Sequence, residues 1–288
     1  MSVRSKSVIP MVCLFLTAAL AGAQQTAPAS APPGAGLPPP AEAGARPALE
    51  SSPRHGEYAD VKVPGTDQSV RVWVVYPERK DKAPVAIVIH EIFGLTDWIR
   101  SVADRLAADG FIAVAPDLLS GKGPGGGGTP AFADRDAVIA AIRGLSPDEV
   151  FARLNAVRDW GIQLPAAAGK SVTVGFCWGG STSFAYAAAQ PALDAAVVYY
   201  GSAPETARLA SISAPVLGLY GSDDARVNAT IEPAAAEMKR LGKIYEHEIY
   251  EGAGHGFLRA QDGRDGANLA AAGKAWPRML SFLKEHAR

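Results

Sequence analysis

The stretch SVTVGFCWGG, residues 171–180, decides the fold. Its β-branched first half predicts a strand over Ser171–Phe176, and a helix is predicted over Ser181–Ala189. Cys177 lies between them, flanked by glycines that relieve crowding in a sharp strand-to-helix turn. Such a turn presents a nucleophile at the carboxyl edge of a sheet, so Cys177 is the candidate nucleophile. An inert thiol buried at the end of a strand is the alternative.

Two polar loops downstream supply the partners that a catalytic thiol needs. The segment GSDDARV (221–227) follows an apolar run, and AGHGF (253–257) follows a predicted strand. Because open α/β sheets place their sites at the carboxyl ends of strands, we expect both loops near Cys177. His255 can take or hold the thiol proton, and a buried carboxylate can fix its tautomer. Asp224 is the predicted acid, and Asp223 is the neighbouring alternative.

The segment HEIFGL (90–95) adds a third element to the site. It follows the continuous apolar run VAIVI (85–89), which predicts a strand buried on both faces. Its backbone amides can face the strand-to-helix turn at Cys177, which we call the elbow, and form half of an oxyanion hole. Glu91 directly follows the strand, where a charge is costly unless it is paired. A catalytic role and simple pairing with a nearby Arg or Lys both remain open for Glu91.

Outside these segments, strand and helix patterns alternate along the chain. Together they predict an α/β fold with a mainly parallel twisted sheet and helices on both faces. Further strands are expected at 70–76, 111–115, 195–200, 216–220 and 245–250, and further helices at 96–110, at 146–161 and near the carboxyl terminus. Thr96 and Ser146 are the expected amino-terminal caps of two of these helices.

The glycine-rich segment 121–128 could suggest a phosphate cradle. It lacks the Gly-Lys-Ser/Thr ending that such a loop requires, so a mobile surface loop is predicted instead.

The amino terminus has the pattern of an export signal over residues 1–23. A charged start is followed by a mostly apolar run and by small residues at 21–23. Export to the periplasm or to the medium is therefore expected, with an uncleaved anchor as the alternative. Residues 24–53 are rich in Ala, Pro and Gly and predict a disordered linker. The catalytic domain is predicted over 54–288. Loss of the signal would leave Cys177 as the single cysteine.

The charges limit the partners. The chain of 288 residues carries 28 basic and 29 acidic residues, a formal net charge of −1, and the two signs are interspersed. This composition gives no electrostatic reason for nucleic-acid binding or for stable membrane insertion after signal cleavage. A small molecule is the expected partner.

With HEIFGL, GFCWGG, GSDDARV and AGHGF in place, residues 54–288 resemble the dienelactone hydrolase family within the α/β-hydrolase superfamily. The resemblance implies hydrolysis of a lactone or a small ester, an anionic one included, through an acyl-enzyme. It also implies that no metal and no organic cofactor is needed. It assigns Cys177, Asp224 and His255 to the triad and gives Glu91 a part in generating the thiolate.

The resemblance also implies roles for four further residues. The amides of Ile92 and Trp178 correspond to the oxyanion-hole donors of the family. Arg259 corresponds to an arginine that holds the substrate carboxylate, with a surface salt bridge as the alternative. Arg135 is a weaker candidate for a second such arginine.

Two rival functions remain at the sequence level. One is a broad-specificity exported esterase, thioesterase or peptidase on the same fold. The other is a non-catalytic binding protein that has kept the fold. All three members of the predicted triad are present in the sequence, which favours an enzyme.

Overall fold

The computed structural model describes residues 1–2 and 31–287. The predicted export signal therefore lies outside the described residues, apart from its first two. In the described part of the chain, no helix combines the length and the apolar character needed to cross a bilayer. The fold below concerns residues 32–287.

An eight-stranded sheet runs through the molecule in the order β1-β2-β4-β3-β5-β6-β7-β8. Strands β1 and β2 pair antiparallel, as do β2 and β4, and the remaining neighbours pair parallel. The strands are β1 (Gly56–Lys62), β2 (Ser69–Val75), β3 (Ala83–Ile89), β4 (Ile112–Pro116), β5 (Ala167–Phe176), β6 (Ala195–Tyr199), β7 (Val216–Asp223) and β8 (Tyr245–Gly254).

Helices cover both faces of this sheet. The described α-helices are α1 (Ala45–Glu50), α2 (Asp97–Ala108), α3 (Arg135–Arg143), α4 (Pro147–Ile162), α5 (Trp178–Ala189), α6 (Ala225–Asn228), α7 (Ile231–Arg240) and α8 (Ala267–His286). Apolar residues of α2 and α8 pack into one core, and those of α4, α5 and α7 pack into the core on the opposite face. Strands β3 to β7 are buried on both sides, which explains their continuous apolar sequences.

The predicted fold class is confirmed, and two predicted helix starts agree with the local geometry. The hydroxyl of Thr96 accepts a hydrogen bond from the amide of Ile99, and that of Ser146 accepts one from Glu149. The elbow helix begins at Trp178, three residues earlier than predicted. The predicted pattern lacked strand β1 and the helices α1, α3, α6 and α7. Strand β1 is largely exposed and α3 buries only two residues, so neither carries a strong apolar period.

The predicted disordered linker, residues 24–53, is wrong for its described part. A short 3-10 helix, Glu42–Gly44, leads into α1, and Ala45 is buried in the core beside α2. Two backbone carbonyl oxygens of this segment also accept hydrogen bonds from side chains of the domain. That of Pro39 accepts from Gln261 Nε2 at 2.8 Å, and that of Pro40 accepts from Trp98 Nε1 at 3.1 Å. Composition predicted disorder because the segment has almost no large apolar side chains, whereas its order comes from these backbone hydrogen bonds and from the burial of small residues such as Ala45.

Candidate active site

Cys177 occupies a strained turn between β5 and α5. Its φ of 55° lies in the left-handed region, which is rare for a residue with a side chain. Gly175 and Gly179 permit the turn. A Cβ on Gly175 would lie 2.0 Å from the carbonyl oxygen of Gly179, and one on Gly179 would lie 2.2 Å from that of Ile89. The sequence folds this way because glycines stand at the two closest backbone approaches.

The structure brings Cys177, His255 and Asp224 together. His255 Nε2 lies 3.1 Å from Cys177 Sγ, and His255 Nδ1 lies 2.5 Å from Asp224 Oδ2. Asp224 follows β7 and His255 follows β8, so both side chains come from the carboxyl edge of the sheet. The side chain of Asp224 is 8% exposed and that of His255 is 35% exposed. Asp224 is therefore shielded from water, whereas His255 and the partly exposed Cys177 can meet a ligand.

Asp223, the alternative acid, is directed elsewhere. Its carboxylate forms an ion pair with Arg264, and its side chain is 57% exposed. Adjacent residues at the end of β7 point to opposite sides, so only one of the two acids can reach His255. The geometry therefore selects Asp224.

The surroundings of His255 favour its charged form. Burial alone would lower the pKa of His255, but the hydrogen bonds with Asp224 and Cys177 outweigh burial and raise that pKa to about 9. At neutral pH the imidazole therefore carries a second proton, which it holds on the Cys177 side.

The two predicted oxyanion-hole donors, Ile92 and Trp178, have backbone amides that are not engaged within their own helix or turn. Trp178 is the first residue of α5, and the amide there has no acceptor within its own helix. Ile92 lies in the turn after β3, and its amide donates to no acceptor within the described chain. His90 orders this turn from inside the fold: its Nδ1 lies 2.7 Å from the carbonyl oxygen of Glu91, and its ring stacks on Trp178 at 5.6 Å.

Glu91 is buried on the other side of the site. Only 3% of its side chain is exposed, and its Oε2 lies 2.7 Å from Arg259 Nε. Burial raises the pKa of Glu91 to about 7, although the charges of Arg259 and His255 oppose the shift. The catalytic and pairing interpretations of Glu91 are thus compatible, because the residue is paired with an arginine and is close enough to His255 to be affected by its charge.

The two predicted substrate arginines meet at one aromatic ring. The guanidinium carbon of Arg135 lies 3.5 Å from the centre of the Phe93 ring, and that of Arg259 lies 5.2 Å from it. Arg135 is exposed at the start of α3. Arg259 is less exposed and already pairs with two carboxylates, those of Glu91 and Glu42. The alternative of a salt bridge thus describes the geometry of Arg259, although one of its partners is buried.

Tyr200 is a site residue that sequence reasoning missed. It follows β6, its φ is 40°, and its side chain is fully buried. Its ring packs edge-on against His255, with 5.3 Å between ring centres, and its hydroxyl has no hydrogen-bond partner among the described residues. Burial raises the pKa of Tyr200 well above its ordinary value, and the charges of Glu91 and Cys177 add to the rise. The sequence feature that could have identified Tyr200 is its position at the carboxyl end of β6, the strand that pairs with β5.

The glycine-rich segment 121–128, predicted to be a mobile surface loop, is joined to the turn after β3. Thr129 directly follows it, donates a hydrogen bond from its hydroxyl to Asp117 at 2.7 Å and accepts one from the amide of Leu95 at 3.1 Å. A cleft of about 900 Å³ opens beside this segment. Its lining includes Leu95 and Asp117 but none of Cys177, His255 and Asp224. The cleft is thus separate from the thiol.

This arrangement defines the class of the protein. A parallel sheet with helices on both faces, a nucleophile elbow after β5, and an acid and a histidine after β7 and β8 are the features of an α/β-hydrolase. The comparisons with known proteins then give the family. The family model "Dienelactone hydrolase family" matches residues 70–287.

The chain belongs to the dienelactone hydrolase family and is a hydrolase. It is similar to proteins named "Putative carboxymethylenebutenolidase" from Salmonella typhimurium and Escherichia coli K12. The first is 32% identical and the second 31%; each alignment covers 78% of this chain, and 86% and 85% of the respective relatives. Among solved structures it is similar to a protein from Klebsiella pneumoniae that is named "Putative Dienelactone Hydrolase", with 28% identity and a TM-score of 0.69. That alignment covers 80% of this chain and 99% of the other.

Proposed function

We propose that this hydrolase cleaves a lactone or a small carboxylic ester, as the name carboxymethylenebutenolidase of its relatives implies, with Cys177 as the nucleophile. The observation that carries the proposal is the continuous chain of contacts from Cys177 Sγ to His255 at 3.1 Å and on to Asp224 at 2.5 Å. A thiol reacts as its thiolate, and a histidine oriented by a buried carboxylate can take up the thiol proton and hold it.

The first half of the proposed reaction forms an acyl-enzyme. The Cys177 thiolate, whose proton is held on His255, attacks the carbonyl carbon, and the oxygen that becomes negative is stabilised by the amides of Ile92 and Trp178. When the intermediate collapses, the carbon–oxygen bond of the ester breaks and His255 gives its proton to the leaving oxygen. A pKa of about 9 suits His255 for this step, because the proton is present at neutral pH.

The second half restores the enzyme. His255 takes a proton from water as the water attacks the thioester carbon, and the same two amides stabilise the new oxyanion. Cys177 then leaves as the thiolate and the carboxylic acid is released. Asp224 keeps the imidazole in one orientation through both halves. No step requires a metal or an organic cofactor.

Export, to the periplasm or to the medium, is part of this proposal and rests on the sequence of residues 1–23 alone. A small, soluble ester or lactone is the partner that the site can accept, since the thiol is partly exposed.

The Cys177→Ala variant tests the function. Turnover of a p-nitrophenyl ester is expected to fall by a factor on the order of 10⁴ or more, because the nucleophile is lost while the fold is kept. Circular dichroism and thermal unfolding of the variant provide the control for folding. Hydrolysis at the wild-type rate by a folded Cys177→Ala protein would contradict the proposal.

A further inference from the structure

The segment that precedes β1 reaches the edge of the site. The amide of Glu42 donates to the carbonyl oxygen of Arg259 at 3.0 Å, while Pro39 and Ala45 are buried on either side of it. The family model begins only at residue 70. Glu42 is therefore contributed by a part of this chain that the family match does not include.

The side chain of Glu42 adds a charge to this backbone contact. Its Oε2 lies 2.5 Å from Arg259 Nη1, while Arg259 Nε faces Glu91 at 2.7 Å. A free guanidinium would offer an incoming carboxylate a planar fork of donors. In this protein Arg259 Nη1 is hydrogen-bonded to Glu42, and Nε lies within ion-pair distance of Glu91 without the alignment of a hydrogen bond.

The positive charge of Arg259 is already used within the protein. It is paired with the exposed Glu42 carboxylate and with the buried Glu91 side chain, whose pKa is raised to about 7. Arg135, the other cation at the Phe93 ring, is exposed to solvent and is not part of this pairing. Even a rotated Glu42 side chain would stay close to Arg259, because the backbone hydrogen bond and the buried neighbours hold its Cα. An anion that displaced Glu42 would therefore meet a like charge a few ångströms away.

We propose that Glu42 is a specificity-determining residue: its carboxylate occupies the place on Arg259 that a substrate carboxylate would take, so the site selects uncharged esters and lactones over anionic ones. The inference rests on the proposed function of the Cys177 site. It assigns Arg259 to holding Glu42 and Glu91 in this protein, in place of a substrate anion.

The first test uses thiol alkylation, which needs no turnover. Iodoacetamide is neutral and iodoacetate is anionic, and with both reagents a bond forms from Cys177 Sγ to the CH2 carbon while iodide leaves. We expect the rate ratio of iodoacetamide to iodoacetate to fall about tenfold in Glu42→Gln, since the repulsive charge is gone. Glu50→Gln makes the same charge change on an exposed residue of α1 and is expected to keep the wild-type ratio.

Glu42→Asp separates charge from structure. It keeps the negative charge on a shorter side chain, so its ratio is expected to stay nearer to that of the wild type than to that of Glu42→Gln. A purely structural role would change the ratio in neither variant, or equally in both. Either of those results would overturn the inference.

The second test uses two esters with the same leaving group, p-nitrophenyl valerate and mono-p-nitrophenyl glutarate. We expect wild-type kcat/KM to favour the neutral ester and Glu42→Gln to reduce that preference about tenfold. If both esters are hydrolysed and the preference is the same in the two proteins, Glu42 has no such role and the proposed function stands. If neither ester is hydrolysed although Cys177 is alkylated, the proposed function fails and the alkylation ratios alone decide on Glu42.

Discussion

Two groups of charged side chains flank Cys177, and they differ in how they reach the thiol. On one side His255 contacts the thiol directly and is held by Asp224. On the other side Glu91 and Glu42 share Arg259, and no described hydrogen bond joins this group to the thiol. The first group is suited to moving protons. The second is suited to deciding which ligands approach.

The two groups also differ in origin along the chain. Asp224 and His255 follow adjacent parallel strands, so the topology alone places them beside the elbow. The second group joins the end of β3, the loop after β8 and a segment that precedes the sheet altogether. The topology of the sheet thus places the residues that would move protons. The charge at the edge of the site depends instead on the segment before β1, which carries Glu42.

Within this comparison of the two groups, the largest expected effect separates two neighbouring acids. Asp224→Asn is expected to lower kcat/KM for a neutral ester by roughly 10³-fold to 10⁴-fold, because the imidazole loses the group that fixes its tautomer. Asp223→Asn is the matched control, since it removes the same charge one residue away and affects an exposed pair with Arg264. Steady-state kinetics of both variants make the comparison. Similar losses in the two variants would show that Asp224 has no special part.

A smaller effect concerns how Glu91, a member of the second group, makes the stability of the folded protein depend on pH. Burial raises the pKa of Glu91 to about 7 from the ordinary 4.5. The folded protein thus holds this proton more tightly than the unfolded chain, and stability is lost as the pH rises from about 4.5 through 7. The expected loss in the free energy of unfolding is about 3 kcal/mol at full ionisation.

Glu91→Gln is expected to remove most of that slope, which urea unfolding at pH 5.0 and pH 7.5 would measure. Glu248→Gln is the control, because Glu248 is only half-buried on β8, where its side chain pairs with Arg278 and accepts a hydrogen bond from Tyr250. The raised pKa of His255 acts in a different window: its stabilisation is present below about 6.5 and is lost as the pH rises through 9. If Glu91→Gln keeps the wild-type slope below pH 7, the buried carboxyl is not the group that titrates.

Much of the fold and of the first group could be predicted from the sequence. The continuous apolar strands, the glycines around Cys177 and the positions of Asp224 and His255 are local signals, and each reports a local physical requirement. The preference for Asp224 over Asp223 agrees with the geometry because spacing along a strand end sets the direction of a side chain.

The second group could not be predicted in the same way. Glu42 lies 217 residues from Arg259 in sequence, in a stretch whose composition indicates disorder. Tyr200 has no motif of its own, and its burial beside His255 follows only from the packing of β6 against β5 and β7. Contacts of this kind depend on the assembled tertiary structure, which composition and periodicity do not encode.

The most direct test of the account is to trap the acyl group on the enzyme. The protein would be mixed with a panel of neutral lactones and esters, quenched in acid within the first turnovers, digested and examined by mass spectrometry. The account predicts one added acyl mass on the peptide that contains Cys177, and none in Cys177→Ala. An acyl group on another residue, or turnover by the wild type with the same unmodified peptide in every sample, would contradict it.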